Sequence, residues 1–171
     1  MMPIVIVDYD PGWPALFERA AERIRRALGD RVVQLEHVGS TSVPGLAAKP
    51  RIDVLLVVPS SSDEASYVPA LAAEGYSLHR REPELYEHRL LKGPDTAINL
   101  HVWSRGCVEI ERMIRFRDRL RTHAGDRALY ERTKRELASR PWERGQQYAD
   151  AKGPVIEGII ARATQAARGR P

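Results

Sequence analysis

Cysteine is nearly absent from this sequence of 171 residues, in which Cys107 is the single example. One cysteine cannot form a disulfide framework within the chain or the thiolate cluster of a structural zinc site. Because no activating base is identifiable beside it in the sequence, we interpret Cys107 as chemically inert. This cysteine usage is consistent with a reducing compartment.

Long apolar runs are also missing. The longest run, residues 54–58, is far shorter than the roughly 20 residues that a helix needs to cross a bilayer. Residues 1–5 have neither the basic region nor the long apolar region of a secretory signal. We therefore expect a soluble protein that resides in the cytoplasm and has no membrane partner.

Charge of one sign is only modestly in excess, with 27 basic and 23 acidic residues giving a net charge of +4. The excess falls in the C-terminal half, around residues 112–121 and 162–170. Basic side chains alternate there with glutamates at helical spacing, as on an ordinary solvated helix face. This pattern disfavours a nucleic-acid partner without excluding one, and it leaves phosphorylated small molecules as possible ligands.

The spacing of apolar residues predicts a single α/β domain over residues 1–171. The first helix is expected to end at Gly29, and the pattern after residue 108 is helical. In the loop at residues 39–50 we expect a short helix near Pro44. The predicted strands cover residues 32–38, 51–58, 76–80, 85–92 and 97–103, and the last two form a hairpin.

The loop after the first strand carries the most informative pattern. Gly39 ends the strand and is followed by Ser40 and Thr41, so backbone N–H groups and hydroxyls converge where an anion can bind. Lys49 lies four residues after Gly45 and precedes a proline, which excludes a Walker A loop. The glycine spacing of a dinucleotide-binding fingerprint is missing as well.

A Gly-Ser turn, a short helix and a strand carboxylate are the pattern of nucleotidyltransferases. Gly39 would let the backbone approach a triphosphate, Ser40 would donate its hydroxyl, and Asp53 would hold Mg²⁺ against the phosphates. A carboxylate in an otherwise apolar strand is costly unless it has a partner, which favours a functional Asp53.

The full stretch at residues 37–50, followed by Asp53, resembles the signature of the GrpB (UPF0157) family. Further matches lie at residues 9–13, 99–102, 116–118 and 148–152. The resemblance covers nearly the whole chain. It implies a nucleotidyltransferase-like α/β (α+β) fold, in which a mixed β-sheet has flanking helices and a helical C-terminal segment.

One position departs from the usual metal site of nucleotidyl transfer, where two carboxylates stand two residues apart on one strand. Leu55 occupies the second position and cannot bind magnesium. Glu36 on the adjacent strand is the candidate for a second metal ligand beside Asp53. His101, which shares a strand face with Asn99, is the candidate general base.

Three functions stay open. Asp53 could bind one Mg²⁺ while His101 assists transfer of a nucleotidyl group from a nucleoside triphosphate. The site could instead bind a nucleotide or another phosphorylated metabolite without transfer. In a third interpretation the pocket is a relic, and the basic helices contact another macromolecule. The candidate phosphate-binding residues are Gly39, Ser40, Thr41, Lys49, Arg51 and Lys152.

Overall fold

The computed structural model describes residues 2–170 and places five strands in one mixed sheet of order β1-β2-β5-β4-β3. The strands are β1 (Gln34–Val38), β2 (Ile52–Val58), β3 (Ser77–Glu82), β4 (His88–Lys92) and β5 (Ile98–Ser104). β2 and β5 run parallel, and the other neighbouring strands are antiparallel. The predicted α/β class and the β4–β5 hairpin are therefore confirmed.

Helices flank both faces of this sheet. They are α1 (Trp13–Leu28), α2 (Val68–Ala73), α3 (Val108–Thr122), α4 (Ala124–Ala138), α5 (Gly145–Ala151) and α6 (Gly153–Arg168). The last four follow β5, which confirms the predicted helical C-terminal segment. Within residues 2–170, no helix is both long and apolar enough to cross a membrane.

Alternation along β2 divides the core into two layers. Val54, Leu56 and Val58 are buried in a cluster with the apolar side chains of α1. Leu55 and Val57 point to the opposite face, where they are buried with Ile110 of α3. Asp53 shares the α3 face of the sheet because it is two residues from Leu55.

The predicted helix near Pro44 is wrong. A single 3₁₀ turn, Ser40–Ser42, forms instead and ends as Val43 becomes extended. The Ser42 hydroxyl donates to the carbonyl oxygen of Gly39, and Gly45 has a φ of +80°, which a helix does not allow. Side chain to backbone bonding therefore replaces helical bonding in this loop.

The strand predicted over residues 85–92 begins only at His88. Residues 83–87 form a turn in which Tyr86 and Glu87 have φ values of 50° and 57°. A left-handed backbone cannot continue a strand, so the turn fixes where β4 starts.

Candidate functional site

Gly39 and Asp53 are in direct contact at the end of β1. A Cβ atom on Gly39 would lie 2.6 Å from Oδ2 of Asp53, and the φ of Gly39 is +72°. Both the backbone conformation and the lack of space require glycine. The predicted Gly-Ser turn is therefore built against the strand carboxylate, because Val38 is the register partner of Asp53.

Asp53 lies beside two polar residues of the neighbouring strand β5. Its Oδ1 lies 3.1 Å from His101 Nε2, and Asn99 is its register partner. Burial raises the pKa of Asp53, but the bonds from His101 and Asn99 and the positive charge of Lys152 lower it by more. The net pKa is below its ordinary value, so this carboxylate is ionised at neutral pH.

A row of hydrogen-bonded side chains leads to Asp53 across four strands. Glu82 Oε2 on β3 lies 2.6 Å from His88 Nδ1 on β4, and His88 Nε2 lies 3.2 Å from His101 Nδ1. Burial lowers the pKa of His88, while the Glu82 carboxylate acts in the opposite direction. The His88 ring also packs against Trp103, with ring centroids 4.3 Å apart and planes tilted by 31°. These contacts fix the orientation of the His101 ring toward Asp53.

An open cleft of about 570 Å³ lies beside Asn99 and His101. Four cationic side chains line it, namely Lys49, Arg51, Arg80 and Lys92. Asn99 is held in the cleft wall because the Lys92 ammonium donates to its Oδ1 at 2.5 Å. The cleft therefore combines a strongly positive lining with the two residues that contact Asp53.

Lys49 and Lys152 lie over the ring of Tyr148, with Nζ at 5.2 and 4.8 Å from its centroid. Burial lowers the pKa of both lysines, and the charge of Arg51 lowers both further, whereas Asp53 opposes the shift. Within residues 2–170 neither ammonium forms an ion pair within 4 Å. Their charges are stabilised by an aromatic face and by the more distant Asp53.

Thr41 faces the interior rather than the cleft. Its hydroxyl donates to the carbonyl oxygen of Arg51 at 3.1 Å and lies 3.0 Å from His37 Nε2. Burial, followed by the charges of Arg121 and Arg117, lowers the pKa of His37 to about 4. The neutral imidazole and Thr41 thus tie the loop to the start of β2.

Ser40 lies at the other side of this loop. Burial raises the pKa of Tyr130 on α4 to about 12, although the hydroxyl of Ser40 acts to lower that pKa. The cationic cleft is not lined by Gly39, Ser40 or Thr41. Of the predicted phosphate-binding residues, Lys49 and Arg51 thus line the cleft, the Gly-Ser turn lies behind Asp53, and Lys152 lies over Tyr148 outside the cleft lining.

Glu36 is directed to α3. Its Oε2 accepts a hydrogen bond of 2.7 Å from Arg117 Nη1, and its register partner on β2 is Leu55. Leu55 is fully buried among apolar side chains. In the described part of the chain, no three His, Cys, Asp or Glu side chains are grouped to hold a metal ion. Asp53 would therefore supply one ligand to Mg²⁺, and phosphate oxygens and water would complete the coordination.

Several site residues were missed by the sequence analysis. Glu82 and His88 reach His101 only through strand register, and Lys92 reaches Asn99 in the same way. Lys134 on α4 is 2% exposed, and its ammonium donates to the carbonyl oxygen of Ala47. The spacing of apolar residues in α4 does not show whether Lys134 faces the interior or the solvent. The sequence around it therefore looks the same as that around a solvated lysine.

The mixed sheet, the Gly39–Ser40 turn and the carboxylate on the adjacent strand define an α/β protein whose candidate site lies at the end of two neighbouring strands. A family model described as GrpB protein matches residues 3–162. The chain therefore belongs to the GrpB family, as its resemblance to that family predicted.

Two relatives illustrate this membership. A UPF0157 protein of Halalkalibacterium halodurans is 58% identical over 160 residues, which cover 94% of this chain and 82% of the relative. The crystal structure of the conserved protein GrpB from Enterococcus faecalis superposes with a TM-score of 0.84 at 30% identity, covering 95% of this chain and 99% of the other.

A third relative is a longer protein. The dephospho-CoA kinase of Mycolicibacterium paratuberculosis is 28% identical, and the match covers 94% of this chain but only 46% of the kinase. The matching region is therefore one part of that protein.

Proposed function

We propose that the cationic cleft binds a phosphorylated small molecule. The observation that carries this proposal is the convergence of Lys49 and Arg51 on one cleft whose wall residue His101 contacts the ionised carboxylate of Asp53. Like charges that crowd together lower one another's pKa and raise the energy of the free protein. A polyphosphate would relieve this repulsion through charge-assisted hydrogen bonds.

The cleft also offers side chains that can contact the rest of such a molecule. Arg80 and Lys92 extend the positive lining along β3 and β4, and Asn99 and His101 supply hydrogen-bonding groups. Because Arg80 and the Asn99–Lys92 pair stand on neighbouring strands, the sheet holds them rigidly before a ligand arrives.

The test is calorimetric titration of the protein with tripolyphosphate, ATP and dephospho-CoA, the last chosen because of the relative named a dephospho-CoA kinase. Substituting Lys49→Ala together with Arg51→Ala, both in the cleft lining, should weaken binding of tripolyphosphate by about tenfold or more. Arg132→Ala, which removes an exposed cation of α4 outside the cleft, serves as the matched control. Equal losses in both variants, or no binding of any probe to the wild type, would contradict the proposal.

Transfer of a nucleotidyl group is a second candidate, favoured by the 3.1 Å contact between His101 Nε2 and Asp53 Oδ1. In that reaction an acceptor hydroxyl bonds to the α-phosphorus, pyrophosphate leaves, and the hydroxyl proton passes to solvent, while His101, whose two ring nitrogens already contact His88 and Asp53, orients the carboxylate. Mg²⁺, when bound, would neutralise phosphate charge, with Asp53 as its protein ligand.

Pyrophosphate release from ATP separates the two candidates. Release that is lost in both Asp53→Asn and His101→Gln would support transfer. Binding of ATP with no release, in the presence of Mg²⁺, would support a binding function alone.

A further inference from the structure

Residues 2–5 line one side of the cleft, and backbone hydrogen bonds of Met2 and Val7 hold the segment on either side. At one end, the backbone N–H of Met2 donates to the carbonyl oxygen of Trp142 at 3.0 Å. At the other end, Val7 and Ala48 exchange backbone hydrogen bonds of 2.9 and 3.0 Å. Trp142 lies just before α5 and Ala48 just before Lys49, so the segment joins two walls of the cleft. We refer to residues 2–5 as the strap.

The strap presents apolar side chains to a cleft that is otherwise positively charged. Met2, Ile4 and Val5 line the cleft, and Met2 and Val5 are 56% and 59% exposed. The Met2 methyl group lies 4.0 Å from the position of a Cβ on Gly145, at the start of α5. Apolar surface held in water within a concave site is unfavourable, and a ligand that covers it gains binding free energy.

The two kinds of lining make different demands on a ligand. The cations Lys49, Arg51 and Lys92 attract phosphate groups regardless of what these groups carry. The strap has no charged side chain, so it offers no charge to inorganic phosphate, and its apolar side chains favour an apolar or planar organic group.

We propose that the strap determines the specificity of the cleft by contacting the organic group of a phosphate ester while the cations hold its phosphates. The inference rests on the proposed function and adds the ligand class, an organic polyphosphate ester with an apolar or aromatic group. An inorganic polyphosphate fills only the charged part of the site.

The experiment compares paired probes that differ in the organic group: ATP against tripolyphosphate, and dephospho-CoA against pyrophosphate. Binding is measured by calorimetry to the full-length protein and to a variant carrying Met2→Ser and Val5→Ser. The control variant carries Val33→Ser and Val108→Ser, which change two exposed apolar residues outside the cleft. Thermal unfolding verifies that all three proteins are folded.

At least one organic probe should bind the wild type about tenfold more tightly than its inorganic partner. The strap variant should lose most of this difference and keep the affinity for the inorganic probes within about twofold. The control variant should change neither affinity.

Three results would overturn the inference. The first is equal affinity of the wild type for the organic and inorganic probes, which leaves the cationic cleft intact as a phosphate site. The second is an equal loss for both kinds of probe in the strap variant, which would make the strap a structural support. The third is no binding of any probe, which contradicts the proposed function itself.

Discussion

At the residue scale, Gly39 and Asp53 occupy one small volume where β1 ends. Two separate effects demand glycine there, a left-handed backbone and the 2.6 Å approach that a Cβ would make to Oδ2 of Asp53. Gly45, six residues later in the same loop, has a similar φ of +80° but no atom within 4 Å of its Cβ position. Comparing substitutions at Gly39 and Gly45 therefore distinguishes the cost of the backbone conformation from the cost of steric overlap.

We predict that Gly39→Ala lowers the free energy of unfolding by about 2 to 5 kcal/mol, through backbone strain plus displacement of Asp53. Gly45→Ala should cost only about 1 to 2 kcal/mol, because the backbone effect acts alone. Chemical denaturation of both variants measures the difference. Equal losses would mean that Asp53 yields to the methyl group without cost.

At the scale of elements, one arginine connects α3 to the edge strand β1. Arg117 donates from Nη1 to Glu36 Oε2 at 2.7 Å and to the carbonyl oxygen of His37 at 3.1 Å. Burial lowers the pKa of Arg117, but Glu36 and Asp118 raise it by more. The guanidinium therefore remains charged and holds α3 over the face of the sheet that carries Asp53.

Replacing Arg117 with methionine should lower the free energy of unfolding by about 2 to 4 kcal/mol, because Glu36 and the His37 carbonyl lose a buried partner. Arg140→Met removes a solvent-exposed pair with Glu136 and should change stability by no more than about 0.5 kcal/mol. Urea titration of the two variants compares these values. A loss at Arg117 as small as that at Arg140 would show that α3 docks through its apolar residues alone.

At the scale of the whole molecule, Lys134 links global stability to pH. Burial lowers its pKa from 10.5 in the unfolded chain to about 7 in the folded protein. Between these values the unfolded chain binds one proton more than the folded protein. The contribution of Lys134 to the free energy of unfolding is therefore fully present above pH 10.5, and it is lost as the pH falls toward 7.

The free energy of unfolding of the wild type should thus contain a term that rises with pH above 7, by up to about 1.4 kcal/mol per pH unit. Lys134→Met removes this term, so its stability should depend less steeply on pH between about pH 7 and 9.5. Arg132→Met on the exposed face of α4 should keep the wild-type slope. Parallel curves for wild type and Lys134→Met would refute a neutral buried lysine.

Some features of the fold and the site could be predicted from the sequence, and others could not. The spacing of apolar residues predicted the strands and most helices, because the pattern of buried side chains depends on residues that are close together in the sequence. The loop near Pro44 escaped prediction, since the bond from the Ser42 hydroxyl to Gly39 competes with helix formation. Of the predicted site residues, Gly39 and Asp53 lie against each other and Lys49 lines the cleft, whereas Ser40 does not line it.

The sequence by itself thus determined the family, the α/β class, and the placement of a glycine turn before a strand carboxylate. Only the tertiary structure decided which side chains surround Asp53. Strand register brings Glu82, His88 and His101 into one row, and helix packing places Lys152 and Tyr130 beside the loop. Such contacts join residues far apart in the chain, so they depend on how whole elements pack and leave no local pattern to read.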